Sequence, residues 1–362
     1  MIGIVIVVLS SFLLSVMIVG LVLRISHKKS WYDQIDERKI HTGAVPRLGG
    51  IGFALSFIIS ASFIIFFIPE THFDPRFVPV FIAMILTLVY GIFDDFRPLV
   101  PRYKLLLQIV SALCIMLPGY IFNRLFYFDI GFLAGMNWFW YLISLFWLVG
   151  LPNALNFIDG NDGLAGGVSV LIALSYALIF ASFDAAGVVI ILCVCLALSI
   201  GGFLVFNMPL PRAKIFMGDG GSQFLGFVLA LLPLVHQDPS ALPLSYAAAL
   251  LLIPILDTTA AVWRRIREGR RIASPDRSHI HHKLMNLGFS SRGVDGMIYG
   301  LQIGISFLVF VSTRLQGIPS LLVLCGAYLI GILFFTAIHY ANRHVMSRNL
   351  PDTESLPNVS SL

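Results

Sequence analysis

Charge is the scarcest resource in this sequence. Only 12% of its 362 residues are Asp, Glu, Lys or Arg, about half the share of a soluble domain. Hydrophobic residues make up 58% and the mean hydropathy is +0.89, which excludes an ordinary water-soluble globule. Cysteine is nearly as scarce: Cys114, Cys193, Cys195 and Cys325 all fall inside apolar runs, so neither a disulfide framework nor a zinc-type spacing is present. Strict apolar–polar alternation is missing, which excludes a membrane β-barrel. A repeat of 20–50 residues is missing too. No GxxxxGK[ST] segment occurs, so this is not a Walker-type nucleotide binder. The first apolar run has no charged n-region before it and is a poor signal peptide.

What is abundant is continuous apolar sequence. A run of about 20 residues crosses the hydrocarbon of a bilayer as a helix, and such runs predict an all-α, polytopic membrane bundle. Spans are expected near 2–24, 48–69, 76–93, 104–122, 136–154, 164–183, 186–206, 222–236, 241–263, 295–313 and 317–340, eleven in all, with 222–236 the shortest. Arg24, Lys28 and Lys29 hold the C-terminal end of the first span in the cytosol. An odd span count then puts the N-terminus outside and the C-terminus inside. The cations test this independently. Of 24 Lys and Arg residues, 21 fall in the segments assigned to the cytosol, leaving only Arg76, Arg124 and Arg314 outside. The formal net charge of +5 therefore reports orientation before any partner, and nothing points to nucleic acid. One catalytic transmembrane domain over 1–342 is expected, with working loops at 25–47, 94–104, 153–165, 207–222 and 264–294. A polar tail over 343–362, with Pro351 and Pro357, reads as disordered.

Those loops hold the polar chemistry. The segment from Asp36 to Gly50 mixes Arg38, Lys39, His41 and Arg47 with Gly43 and Pro46; alone it reads equally well as a positive-inside loop. A span ends in Asp94-Asp95. Adjacent residues cannot share a helix face, so one carboxylate could meet a cation while the other meets substrate. Acids at a helix C-terminus also oppose the macrodipole, which makes a purely structural reading unattractive. Asn153 to Gly166 sets two amides ahead of Asp159, Gly160, Asp162 and Gly163, with no Lys or Arg. Uncompensated polar groups at a membrane boundary mark a functional site by default. Asn153, Asn156 and Asp159 share an i, i+3 face if helical, and the glycines predict a break there. Pro211 to Ser222 places Asp219 in a glycine-rich turn near Arg212 and Lys214, where a helix start with free N–H groups would suit phosphate and a carboxylate would suit Mg²⁺. The basic stretch from Arg264 to Arg292 contains Arg277 and the cluster His279, His281 and His282, which suits a polyanion. Asp257, about six residues inside the ninth span, could neutralise Arg264 or line the site.

In this order and spacing the five segments resemble the polyprenyl-phosphate N-acetylhexosamine-1-phosphate transferases, over nearly the whole chain from Asp36 to about Phe289. Arg-Lys-Ile-His-Thr-Gly-Ala-Val-Pro-Arg-Leu-Gly-Gly and Pro-Asp-Arg-Ser-His-Ile-His-His look like the branch that starts O-antigen, common-antigen or teichoic-acid synthesis. The resemblance implies transfer of N-acetylglucosamine 1-phosphate, or that of a related hexosamine, from a UDP-sugar to undecaprenyl phosphate. UMP leaves, Mg²⁺ or Mn²⁺ is required, and the location is the inner face of a bacterial cytoplasmic membrane. It also implies roles. Asp219 ligates metal, with Asp94 and Asp95 at the lipid phosphate or the metal. Asn156, Asp159 and Asp162 shape the nucleotide site. His279, His281 and His282 act near the diphosphate, with His281 in the catalytic set. Arg47, Lys214 and Arg277 join the substrate-binding set. Whether the chain forms a homodimer stays open. One departure is visible: Asn161 stands where the family carries an apolar residue.

From below, the chemistry agrees. A phosphate oxygen must attack the phosphorus of another anion, and metal and cations offset the repulsion. Direct attack is favoured over an aspartyl-phosphate intermediate, with Asp94 as a base. A transporter would carry its ionisable residues near mid-membrane and show repeats. A Mg²⁺-dependent aromatic prenyltransferase would need an acid at position 98, which is Pro98.

Overall fold

The computed structural model describes residues 2–32, 45–67, 74–128, 131, 135–183, 187–209, 212–235, 242–271, 274 and 278–348. Among them there are thirteen helices and no strand. They are α1 (Ile2–Lys29), α2 (Gly50–Phe67), α3 (Phe77–Phe96), α4 (Pro101–Met116), α5 (Asn137–Ile158), α6 (Leu164–Ser182) and α7 (Gly187–Asn207), then α8 (Gly218–Leu231), α9 (Leu244–Leu250), α10 (Leu252–Arg267), α11 (Ile280–Asn286), α12 (Ser291–Arg314) and α13 (Gly317–Arg348).

Each expected span has a helix, but the spans are not eleven equals. Eight helices are long and apolar enough to cross a membrane: α1, α2, α3, α5, α6, α7, α12 and α13. The helix α4 has 16 residues and α8 has 14, reaching about 24 and 21 Å against about 30 Å of hydrocarbon. The ninth expected span is broken into α9 and α10, which meet at 83°. Pro254 explains the break: its ring excludes the carbonyl of residue 250, and α9 ends at Leu250. The tail also departs from expectation. α13 continues to Arg348, because nothing from 343 onward breaks a helix before Pro351 and its last-turn cation suits the helix dipole. The rest of the tail lies outside the described residues.

The short helix α8 is the centre of the bundle. From Gly220 to Leu231 every residue is buried, as expected of a helix apolar on all sides, and it packs against α2, α3 and α5. The approach of α3 is close enough to need glycine: a Cβ on Gly91 would stand 2.6 Å from the Gly220 Cα. Chain direction then fixes where the chemistry collects. The C-terminal end of α3 meets the N-terminal end of α8, and Trp31 just beyond α1 packs edge-on to Phe96, ring centroids 5.1 Å apart. Residues 46–50 run beside 216–217, with Phe216 N–H donating to Pro46 O at 2.8 Å and Gly50 N–H to Met217 O at 2.9 Å. That pairing carries Arg47 to the same end.

Candidate active site

Asp94 and Asp95 leave the last turn of α3 in different directions, as adjacent residues must. Asp95 turns inward, and its side chain is 2% exposed. Its Oδ1 accepts from Asp219 N–H at 2.7 Å and its Oδ2 from Gly220 N–H at 2.9 Å. An acid that opposes the dipole of its own helix thereby caps the start of α8. This corrects one expectation. The first N–H groups of the 218–222 turn are not free for phosphate, because Asp95, distant in sequence, already occupies them.

Asp94 turns toward the next helix. Its Oδ1 accepts from Leu99 N–H and its Oδ2 from Lys104 Nζ, both at 2.6 Å. Lys104 also donates to Asp219 Oδ2 at 3.1 Å, so one ammonium bridges two carboxylates. On the other side Asn156 Nδ2 donates to Asp219 Oδ1 at 3.0 Å and to Ser222 Oγ at 2.8 Å. Arg47 Nη2 lies 3.6 Å from Asp219 Oδ1 and 3.9 Å from Asp95 Oδ1. Burial pushes the Asp219 carboxyl up, but Lys104, a hydrogen bond with Asp94, Arg47 and the Asn156 amide outweigh it and hold the group at about 2. Asp219 is an anion at every working pH, and it is 24% exposed.

Helix α5 ends at Ile158, so Asn153 and Asn156 do lie on a helix, and the break falls at the predicted glycines. Asp159 follows the last turn. No hydrogen bond reaches its side chain among the described residues, and burial, then the charge of Asp219, push its carboxyl up to about 7. Asp162 faces away from this cluster and accepts from Ala213 N–H at 3.0 Å, tying the turn to the loop before α8. Asn161 binds α12: its Nδ2 donates to Asp295 Oδ1 at 2.6 Å, and Ser291 Oγ donates to its Oδ1 at 2.7 Å.

The histidines form a second group on the far side of the same turn. The His281 ring lies on Gly160 so closely that a Cβ there would be 2.4 Å from its Nε2. His279 and His281 are nearly parallel at 6.1 Å, and His281 meets His282 at 4.2 Å. Neither ring nitrogen of His281 has a partner among the described residues. Burial, reinforced by His282, holds it down at about 3, so it is neutral. Asp257 meets His279: its Oδ2 is 2.7 Å from His279 Nδ1 and its Oδ1 accepts from Ile280 N–H at 2.8 Å.

The structure thus gathers Arg47, Asp94, Asp95, Asn156, Asp159 and Asp219, with His279, His281 and His282 sharing the 157–160 turn. Lys214 is exposed and joins its surroundings by a backbone bond to Phe206. Arg277 lies outside the described residues. Lys104 was missed, because a cation beside a span reads as a topology signal. Gln108, one turn further along α4, was missed as well. It bonds Asn153 Oδ1 at 3.1 Å and Gln223 Oε1 at 2.8 Å, a polar floor beneath the carboxylates. The i, i+4 spacing of Lys104 and Gln108 was the available clue.

Among the described residues no three His, Cys, Asp or Glu side chains assemble a ready metal site. The donor set nevertheless suits a hard divalent cation. Among the described residues the carboxylates of Asp94, Asp95 and Asp219 pair with Arg47 and Lys104, and Lys104 already takes a cation's place between Asp94 and Asp219. Mg²⁺ commonly uses one or two carboxylates and draws its other ligands from water and substrate phosphates.

An apolar helical bundle with an acidic site at one end, bridged by Lys104, defines a membrane enzyme suited to handling phosphates. The family profile described as Glycosyl transferase family 4 matches residues 77–237, from α3 past α8. A Bacillus subtilis (strain 168) protein named "Probable undecaprenyl-phosphate N-acetylglucosaminyl 1-phosphate transferase" is 35% identical over 324 residues, 87% of each chain. The Escherichia coli K12 protein named "Undecaprenyl-phosphate alpha-N-acetylglucosaminyl 1-phosphate transferase" is 29% identical over 295 residues, 78% of this chain and 77% of its own. A Yersinia pestis protein of the same name is 28% identical over 347 residues. The chain belongs to glycosyl transferase family 4.

Proposed function

We propose that this protein transfers N-acetylglucosamine 1-phosphate from UDP-N-acetylglucosamine to undecaprenyl phosphate, releasing UMP, at the cytosolic face of a bacterial cytoplasmic membrane. The observation that carries the reading is Asp219 held between Lys104, Arg47 and Asn156 at the polar end of an apolar bundle. A membrane-held phosphate and a soluble nucleotide can meet there. The cation asymmetry of the loops supports the cytosolic assignment.

An oxygen of the lipid phosphate attacks the β-phosphorus of the UDP-sugar. The bond from that phosphorus to the bridging oxygen breaks, and UMP departs with the electron pair. Any proton on the attacking phosphate needs an acceptor. Both oxygens of Asp94 are engaged by Leu99 and Lys104, whereas the Asp159 side chain has no hydrogen bond among the described residues and burial pushes it up to about 7, near the second ionisation of a phosphate ester. Asp159 is the better base, and Asp94 holds Lys104. Mg²⁺, held by Asp219, would supply charge neutralisation between the two anions. Arg47 and Lys104 orient the phosphates, and neutral His281, packed on Gly160, acts near the diphosphate.

Purified protein in detergent, given undecaprenyl phosphate, Mg²⁺ and a panel of UDP-sugars, should release UMP with UDP-N-acetylglucosamine only. Release should require the lipid and cease with EDTA. Folded protein that releases UMP from none of them overturns the reading; release from another hexosamine overturns its sugar.

A further inference from the structure

Asp257 is buried, 3% exposed, and lies within the broken ninth span, where an ionised group is costly without a purpose. Its two oxygens are both acceptors, one for Ile280 N–H and one for His279 Nδ1. A carboxylate has no proton to give, so the hydrogen in the second bond belongs to Nδ1. Neutral His279 then presents a bare Nε2, and a protonated His279 presents a second N–H whose charge Asp257 offsets. The ring plane is fixed as well. Phe157 flanks His279 at 5.4 Å, and Arg265 of α10 lays its guanidinium 5.2 Å over the same Phe157 ring. Helix α10 therefore holds the histidine segment and the last turn of α5 together, two residues from Asp159. Capping α11 needs only Oδ1. The bond from Oδ2 to the imidazole does something else.

We propose that Asp257 is a positioning residue for the transfer reaction: it sets the tautomer and orientation of His279 so that Nε2 faces the diphosphate. The proposal rests on the phosphotransfer reading above. Carboxylate partners of this kind are worth about 10–100-fold where they orient a working histidine. The variant Asp257→Asn keeps an oxygen for Ile280 N–H but replaces the other acceptor with an N–H donor, which can bond only a bare Nδ1 and so favours the opposite tautomer of His279.

In the UMP-release assay, Asp257→Asn should lower kcat about 10–100-fold with KM for both substrates nearly unchanged. The double variant Asp257→Asn/His279→Gln should be no slower than His279→Gln alone, because a residue acting through another adds nothing once that one is gone. Unchanged kcat, or losses that multiply, overturns the proposal. A second measurement does not need the Asp257 variants to fold: ¹⁵N NMR of wild-type protein labelled at histidine, with His279 signals identified by their absence from His279→Gln. A protonated Nδ1 supports the assignment, and a bare Nδ1 beside a protonated Nε2 overturns it. Wild-type turnover separates the two failures, since no UMP from wild type sinks the reaction while the NMR still decides the tautomer.

Discussion

The two halves of the site solve opposite problems. Around Asp219 the charges are dense and already paired: Lys104 bridges two carboxylates and Asp95 is consumed by the backbone of α8. Around His281 the ring itself is buried and neutral, with two ring nitrogens lacking partners among the described residues and a pKa held at about 3. A paired cluster keeps its shape without ligand. A buried imidazole without partners carries a desolvation cost that only an incoming donor or acceptor removes. The first half is pre-organised for charge, and the second waits for substrate.

The contrast is most directly broken at Asp219. Asp219→Asn should reduce UMP release by about 10³-fold or more, the scale for losing preorganised charge stabilisation, while the melting temperature in detergent stays close to wild type. Turnover near wild type would remove Asp219 from the chemistry.

Asp159→Asn should cost about 10²-fold at pH 8, the scale of a lost general base, and change the pH profile. Because the basic form acts, wild-type kcat/KM should fall as pH drops below about 7, where the Asp159 carboxyl takes up its proton. The Asn variant should keep only the limb belonging to the lipid phosphate. An identical profile would return the proton to another group.

Gly160→Ala tests the histidine half alone. The added methyl must displace the His281 ring, and a misplacement of about 1 Å can cost up to 10²-fold; about tenfold in kcat is expected here. Bound metal, followed by Mn²⁺ electron paramagnetic resonance, should be unaffected. If the metal signal changes too, the two halves are one unit.

The smallest effect is expected at Asn161→Leu. Losing its bonds to Ser291 and Asp295 leaves a buried carboxylate short of a partner, at a cost of about 1–3 kcal/mol. The melting temperature should drop with at most a few-fold change in kcat. A larger kinetic loss would make this contact to α12 part of the site.

Much of this was legible beforehand because apolar sequence makes polar residues conspicuous. Asp94, Asp95, Asn156, Asp159 and Asp219 stood out against their spans, and the glycines at 160 and 163 marked where α5 stops. What stayed hidden depended on partners far along the chain. The capping of α8 joins residues 95 and 219, so its N–H groups looked free. Asp257 finds its partner 22 residues on, whereas the sequence left open whether it neutralises Arg264, two turns away, or lines the site. Lys104 was disguised by its location among cations that also set topology. The ninth span read as one continuous run, and its 83° break between α9 and α10 emerged only in the structure.

The burial of α8 has a consequence for biosynthesis. A 14-residue helix is too short to settle across a bilayer unaided, and its glycine-rich face offers little to lipid. Its wall of α2, α3 and α5 is synthesised first, so α8 enters a slot already built and the carboxylate site closes only at that moment. A ribosome paused before residue 218 would display Asp95 with no helix to cap, and quality-control proteases would meet an inserted but inactive intermediate.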